Sequence, residues 1–466
     1  MSCPQSNRTP MGLNFPMQPY DTIIVGLGAS GCAAVSKLGQ AGKRVLVLEA
    51  QNRVGGRVKT VQFGNGIVEV GAEWIHGTNN SVTYELALKN NVSVLAQGLE
   101  FGVYRSDGTP ANKDLVNELV TLALEVQEHP PPEPEPLGQF ITRKLMEHIR
   151  EKHPKVLEDQ EFIDEFFRFL DLVVDNYEAS NSWNDVTTAS KFEDLGGDQH
   201  TSWHRHGYYT LFEILLNTFN NGPGYPNVNI KFETEVTNIQ WPQDPEEKVK
   251  VTTKDGAIYT ADNVIVTVSL GVLKEKHQSL FTPALPIDKT TAIEKISMGV
   301  IGKIILSFPE EVCTRHDVSP LFFWKKQDSL DEGPIFGKIT GTTCPMGASN
   351  VITVWLCGPI VKAVETLPEE EVKTKAMSVL RRFLGKTMTI PEPTGMIRSM
   401  WHSNPFTRGS YTYDNILTPQ YPNARLDLGS PLLDSATNEH HFSTVHGAVE
   451  TGYREAMRLL PGGSKI

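Results

Sequence analysis

A β-branched apolar run, Thr22-Ile-Ile-Val25, stops at Gly26-Leu-Gly28-Ala29-Ser30-Gly31 and gives way to small residues; a second apolar run, Lys43-Arg-Val-Leu-Val-Leu48, then ends in Glu49. Apolar runs bounded by glycine predict buried strands, and the small-residue stretch between them predicts a helix, so the segment reads as a βαβ unit. Alternating apolar positions at residues 229–239, with further apolar runs at 248–252 and 263–268, predict a returning sheet. Helical spacing in residues 115–124 and 162–170 makes 111–185 largely helical, interrupted by the proline-rich stretch from His129 to Pro136, which cannot be helix interior. Strands near 299–308, 320–325 and 351–357, a helix at 369–384 and a last helix from Gly447 to Leu460 complete the pattern. There is no internal repeat.

Each glycine of the first turn has a physical task. Gly26 makes the tight turn, Gly28 lets backbone approach a pyrophosphate, and Gly31 lets helix pack closely on strand. The N-terminus of that helix, at Ala29 and Ser30, then faces the phosphates. Glu49 follows Gly31 by eighteen residues and is placed to accept hydrogen bonds from ribose hydroxyls. A glycine-rich turn in an unrelated βαβ unit stays open at this level, and FAD and NAD share the fingerprint.

A chain of 466 residues is expected to form two or three domains. No stretch approaches the roughly 20 apolar residues that cross a bilayer, and the first twenty residues, with Pro4, Pro10, Pro16 and Pro19, do not fit a secretory signal. The expectation is a protein inside the cell. Cys3, Cys32, Cys313, Cys344 and Cys357 are scattered, odd in number and without a CxxC pair, so free thiols are expected, with no metal site. A formal charge of −12 argues against nucleic acid and anionic membrane as partners and favours approach of a cationic substrate.

Further motifs carry a resemblance. Arg53-Val-Gly-Gly-Arg57 follows Glu49-Ala50; Gly66-Ile-Val-Glu-Val-Gly71-Ala72-Glu73-Trp74-Ile-His76-Gly77 comes next; Lys303 lies in the apolar run Gly299-Val-Ile-Gly-Lys-Ile-Ile-Leu-Ser-Phe; and Trp401-His-Ser-Asn-Pro-Phe-Thr-Arg-Gly-Ser-Tyr411 precedes Thr444-Val445-His-Gly. In this order, from about residue 20 to 460, they resemble the flavin amine oxidase family, in its polyamine oxidase branch. The resemblance implies an α/β fold: a Rossmann-like FAD-binding domain of the glutathione-reductase kind, assembled from 15–85, 200–298 and 395–466, with an inserted α+β substrate-binding domain from 86–199 and 299–394.

It also implies roles. FAD, held non-covalently because Gly409-Ser410-Tyr411 lacks the cysteine of monoamine oxidases, would be contacted by Gly26, Gly28, Ala29, Ser30, Gly31, Glu49, Arg57, the backbone of Gly71, Ala72, Glu73 and Trp74, and by Val236, Trp401, Thr444 and Val445. His76 and Lys303 would be catalytic, the lysine through a water near flavin N5. Glu178 and Ser180 would hold substrate ammonium groups, and Trp401 and Tyr411 would form aromatic walls, with Tyr208 and Tyr209 as further wall candidates. Residue types alone leave the plainer readings open: a structural imidazole, a paired lysine, core aromatics and a solvated helix-end glutamate.

The implied reaction oxidises a secondary amine of spermine, spermidine or their acetyl forms with O2 to an aldehyde, a shorter amine and H2O2. The partners are then a small polyamine and O2, and the chain is expected to act as a monomer. An inactive relative that keeps the fold, and an oxidase of another amine, are the alternatives. The first has a specific motive: the family's phenylalanine-alanine-glycine-glutamate strand is absent ahead of Ala436, where Ser430-Pro-Leu-Leu-Asp-Ser435 runs straight on. Ser464-Lys-Ile466 matches the peroxisomal Ser-Lys-Leu ending in part, leaving cytoplasm as the expected location and peroxisome as the alternative.

Overall fold

The apolar runs form strands where their pattern places them. In the computed structural model, which describes residues 20–461 apart from 99, 243, 245, 246, 314, 317 and 431–439, β1 (Tyr20–Val25), α1 (Ala29–Gln40) and β2 (Val45–Leu48) make the βαβ unit. β1 lies parallel to β2, with Ile23 opposite Leu46 and Val25 opposite Leu48. On its other side it lies parallel to strand Ile258–Val266, and strand Val228–Lys231 runs parallel along the outer side of β2. β1 and β2, at the centre of these four parallel strands, are buried on both faces because helices cover both. α1 and the C-terminal helix Val445–Arg458 cover one face; helices Leu270–Leu280 and Ile287–Lys295 cover the other. The two helices of the first pair touch so closely that a Cβ on Gly452 would sit 2.1 Å from the Ser30 carbonyl oxygen. Three more strands extend the sheet to seven: Val249–Thr253 runs antiparallel to Ile258–Val266 and to Val236–Gln240, and Phe281–Thr282 lies parallel to Val236–Gln240 at the edge. The architecture is mixed α/β and Rossmann-like.

A second, six-stranded sheet runs in the order Gly395–Arg398, Ile301–Ser307, Val351–Cys357, Gly341–Thr343, Val318–Phe323, Glu100–Arg105. Helix Glu369–Leu384 buries Val372, Ala376, Leu380 and Phe383 against it, with the Phe383 ring stacked 4.2 Å from that of Phe322. Three helices, Lys113–Gln127, Leu137–Lys152 and Gln160–Glu178, pack against the same sheet through Phe323. The third is the longest because Asp159 caps its start, accepting from the Phe162 N–H at 3.0 Å; it stops where Ala179 turns left-handed at φ 58°. Among the described residues, no helix is long and apolar enough to cross a membrane.

Three sequence expectations need correction or placement. The alternating stretch 229–239 is two strands, not one: the chain turns at Glu233, φ 52°, and the halves sit in opposite parts of the sheet, beside β2 and beside Val249–Thr253. Alternation registers which positions are buried but is silent on a turn between them. Cys313 and Cys344 are not free thiols but form a disulfide, their Cα atoms 5.8 Å apart; a sequence separation of 31 carries no sign of that proximity. Cys32 and Cys357 are buried thiols, and Cys3 lies outside the described residues.

Finally, the stretch around the absent strand, 431–439 with Glu439 in it, lies outside the described residues, as do residues 464–466. Among the described ones, the seven-stranded sheet takes no strand from beyond residue 282. Leu428, on the short helix Ala424–Gly429, packs with Val264 and Val266 of that sheet.

Candidate active site

The βαβ turn builds an anion cradle. A Cβ on Gly31 would lie 2.2 Å from the Gly26 carbonyl oxygen, and Gly26 itself sits at φ +98°, so only glycines give this turn. The N-terminus of α1 has no side-chain cap and no acid in its first turn, and Ser30 Oγ is buried without a hydrogen-bond partner. Uncapped amides and an orphan hydroxyl at a helix N-terminus match a phosphate's oxygens. Gly28 and Gly56 pack against each other, a Cβ on Gly56 reaching 3.3 Å from the Gly28 Cα, and this contact brings Arg57 to the cradle. The Arg57 side chain is open to solvent, yet burial lowers its pKa to about 10. Its Nη1 donates to the Ser410 carbonyl oxygen at 2.5 Å, tying the first motif to the last.

Glu49 is 5% exposed, and each of its oxygens accepts a backbone N–H, from Leu27 at 2.7 Å and Gln51 at 2.8 Å. Burial pushes its pKa up while those two bonds pull it down. A carboxylate has about four acceptor positions, so two remain for hydroxyl groups. Beyond it opens a cleft of about 620 Å³ lined by Gln51, Thr234, Glu235, Thr253, Asn404 and Phe406. Val236 begins its strand one residue past that lining. Cradle, cation, carboxylate and cleft follow the order phosphate, ribose, base, and the residues present fit an adenine dinucleotide.

The other end of the site is organised by residues 69–76. A Cβ on Gly71 would be 1.9 Å from the Arg57 carbonyl oxygen and 2.9 Å from Trp401 Cζ2, so the segment passes where only glycine fits. Trp401 is buried and donates from Nε1 to the Val70 carbonyl oxygen at 3.3 Å. Lys303, from strand Ile301–Ser307 of the second sheet, reaches the same segment: its Nζ donates to the carbonyl oxygens of Glu69 and Gly71, both at 2.9 Å, and to Glu73 Oε2 at 2.7 Å. It also lies 4.5 Å from the Trp355 ring centre. An ammonium has three donors, and all three are taken. That is what makes a lysine tolerable in an otherwise apolar strand.

Trp355 stacks 5.6 Å from Trp74, whose Nε1 donates to Gln97 Oε1 at 2.6 Å. His76 lies 6.4 Å from the Trp74 ring and 6.3 Å from that of His200. Burial lowers the His76 pKa, an effect opposed by a backbone hydrogen bond at Gln199 and by the Asp194 charge, so the imidazole is neutral at pH 7. His200 and His446 fall to about 4, by burial first and then by neighbouring imidazoles including His76. His446 Nε2 is buried without a partner. Thr444 caps the helix carrying it, accepting from the Gly447 N–H at 3.1 Å, and Val445 is the helix's first residue.

Glu178 ends helix Gln160–Glu178. Burial, with Asp414 and Asp194 adding to it and Arg425 opposing, raises its pKa to about 7. The Tyr411 hydroxyl donates to the carbonyl oxygens of Asn176 and Tyr177 at 2.9 and 3.2 Å, and its own ionisation is pushed up by burial and by Glu178. Ser180 is fully buried and gives its hydroxyl to Asp175, inside the protein. Tyr208 packs in the core against Trp203, and Tyr209 is exposed on the surface.

The structure thus gathers Arg57, Gly71, Glu73, Trp74, His76, Lys303 and Trp401 around one segment, sets Glu49 and Val236 at the other end, bonds Tyr411 to the end of the Glu178 helix, and turns Ser180 away. Sequence reasoning missed Asp194, His200, Trp355 and His446. Only His446 left a signal, since it sits inside the Thr444-Val-His-Gly run already singled out for its backbone.

Comparison with known proteins agrees with this geometry. Over 94% of its own length the chain is 30% identical to the Homo sapiens peroxisomal N(1)-acetyl-spermine/spermidine oxidase and 29% identical to that of Bos taurus, covering 94% of each. It is 26% identical to polyamine oxidase 1 of Zea mays, covering 90% of that protein. The family model for flavin-containing amine oxidoreductases matches residues 29–460. A dinucleotide cradle joined through Arg57 to the segment held by Lys303 and Trp401, inside a match of that extent, has one reading: the chain belongs to the flavin-containing amine oxidoreductases.

Proposed function

We propose that this FAD-dependent amine oxidase acts on polyamines, oxidising a secondary amine of spermine, spermidine or an acetylated form with O2 to an aldehyde, a shorter amine and H2O2. One observation carries the reading: two carboxyl groups, Glu178 and Asp194, are close enough to interact, with the Tyr411 hydroxyl bonded to the end of the Glu178 helix and Asp194 interacting in turn with the neutral imidazole of His76. A monoamine has one ammonium and no use for a second, distant acid. A polyamine has several, and aromatic faces and carboxylates are the two surfaces that hold an alkylammonium chain. The relatives named above have polyamine substrates in their names, which supports the same reading.

When bound, the flavin supplies the hydride-accepting and O2-reducing chemistry. The chain's residues do the rest. Alkylammonium groups have pKa values near that of lysine, about 10.4, so the reacting nitrogen must lose its proton before it can give up hydride. His76, neutral at pH 7, can accept that proton. Lys303 is a positioning residue that fixes the carbonyls of Glu69 and Gly71 and the Glu73 carboxylate. Trp401 and Tyr411 wall the pocket and limit water.

Non-covalent attachment of the flavin is part of the proposal. Ser410 occupies the residue before Tyr411, where its Oγ accepts from the Ile301 N–H and donates to the Ile301 carbonyl oxygen, both at 2.9 Å. So is the division of labour: strands of the first sheet come from β1, β2 and residues 228–282, those of the second from 100–105 and 301–398. That supports a substrate-binding part inserted into the FAD-binding part.

The test is H2O2 release from spermine, spermidine, their acetyl forms and an aromatic monoamine, with Glu178→Gln alongside wild type. The variant is expected to raise KM for spermine roughly tenfold to a hundredfold, the worth of a hydrogen bond to a charged group at ~1.5–3 kcal/mol, with kcat little changed. With a pKa of about 7, Glu178 is charged above that pH and neutral below it. Wild-type KM should therefore fall as pH rises through 7, and the variant should lose that dependence. Turnover of the monoamine alone would overturn the polyamine assignment.

A further inference from the structure

Three side chains outside the flavin site converge on the helical segment. Glu118 lies on helix Lys113–Gln127, His148 near the end of helix Leu137–Lys152, and His153 directly after that helix. His148 Nε2 is 2.7 Å from Glu118 Oε1, and His153 Nε2 is 2.8 Å from the same oxygen. The two rings are tilted, their centres 6.0 Å apart. We propose that Glu118, His148 and His153 bind a divalent transition-metal ion of the zinc class.

The donor set decides the class. Imidazole nitrogen and carboxylate oxygen bind zinc-class ions at roughly 2.0–2.2 Å, and three protein ligands plus water complete a tetrahedron. The three ligand atoms here lie within 4.8 Å of one another, close enough to share one ion. Calcium and magnesium prefer all-oxygen sets, which two histidines do not provide. Two imidazoles aimed at one carboxylate oxygen, each from its Nε2, is also an arrangement in which a metal can take the place of the two bridging protons. The exposed rim, with Glu118 open to solvent, leaves room for a water ligand.

Such an ion ties the first helix to the end of the second. The tie falls just ahead of the turn Pro154–Glu158 and the helix Gln160–Glu178, whose last residue is Glu178. It would brace the helical segment without touching the reacting groups.

Zn2+ titrated into the purified flavoprotein by calorimetry tests the site. Wild type is expected to show a saturable site that is weakened by more than about tenfold in His148→Gln/His153→Gln and separately in Glu118→Gln, since even outer-shell changes cost 10–100-fold in metal affinity. The melting midpoint of wild type should rise with Zn2+, and that of the variants should not. All are expected to keep flavin absorbance and amine oxidation, which shows that they are folded. Absence of saturable binding in wild type, or equal Zn2+ affinity in folded variants, would overturn the proposal.

Discussion

Replacing Lys303 with methionine is expected to destabilise the protein by about 3–5 kcal/mol, the cost of removing one partner from a buried ion pair. Lys303 and Glu73 are both almost wholly buried at 2.7 Å, and the lysine also holds the carbonyl oxygens of Glu69 and Gly71. Methionine matches the length of the stem but leaves the Glu73 carboxylate without a countercharge. The double variant Lys303→Met/Glu73→Gln is therefore expected to recover a large part of the loss, because a neutral amide needs no partner ion. Urea midpoints of wild type, both singles and the double give the coupling directly. If the double is no better than the lysine variant alone, the stranded charge is not the cause. The same substitution frees the segment from Gly71 to Trp74, so kcat should fall with stability, and stability recovered in the double should return less of kcat than of the urea midpoint.

The second large effect is on the cofactor. Arg57→Ala is expected to weaken FAD binding about tenfold to a hundredfold, the range of a charged hydrogen bond at ~1.5–3 kcal/mol, and to yield protein with substoichiometric flavin. Arg57 follows Gly56, which packs on Gly28 at the uncapped helix N-terminus where Ser30 Oγ is without a partner, and its hydrogen bond to the Ser410 carbonyl oxygen uses one of five donors. Reconstitution of the flavin-free protein, followed by quenching of FAD fluorescence, measures the change. Arg57→Lys should recover part of the affinity, as it keeps the charge but not the planar fork. An alanine variant that binds FAD as tightly as wild type would place the pyrophosphate elsewhere.

These two residues also show what a sequence can disclose. Gly26, Gly28, Gly31 and Glu49 were legible because their work is local: a tight turn, a close helix, and an acid at the end of the next strand. Arg57 was legible through the glycines ahead of it. Lys303 stood out as a charge in an apolar strand, but its partner did not. Glu73 is 230 positions away, and the sequence motif points only to its backbone, while its side chain is the counter-ion.

Pairings across that distance depend on how two sheets dock, which periodicity does not encode. For the same reason 229–239 read as one strand, and Cys313 and Cys344 read as separate thiols. Asp194 and His200 stand in irregular chain, where no repeat marks them, and Trp355 looks like any core aromatic until Trp74 and Lys303 are set beside it. Ser180 is the converse case: its position in the chain suggested substrate, and Asp175 takes its hydroxyl.

All of this depends on the Gly71–Trp74 segment, Lys303 and Trp401 enclosing a flavin whose substrate side faces His76 and Glu178. The absorbance spectrum of the purified, FAD-reconstituted protein under anaerobic conditions, before and after spermine, measures that most directly. The visible flavin band should be present, should bleach on adding spermine, and should return when O2 is admitted. A protein that takes up no flavin, or one whose band persists with spermine, spermidine and their acetyl forms alike, would contradict it.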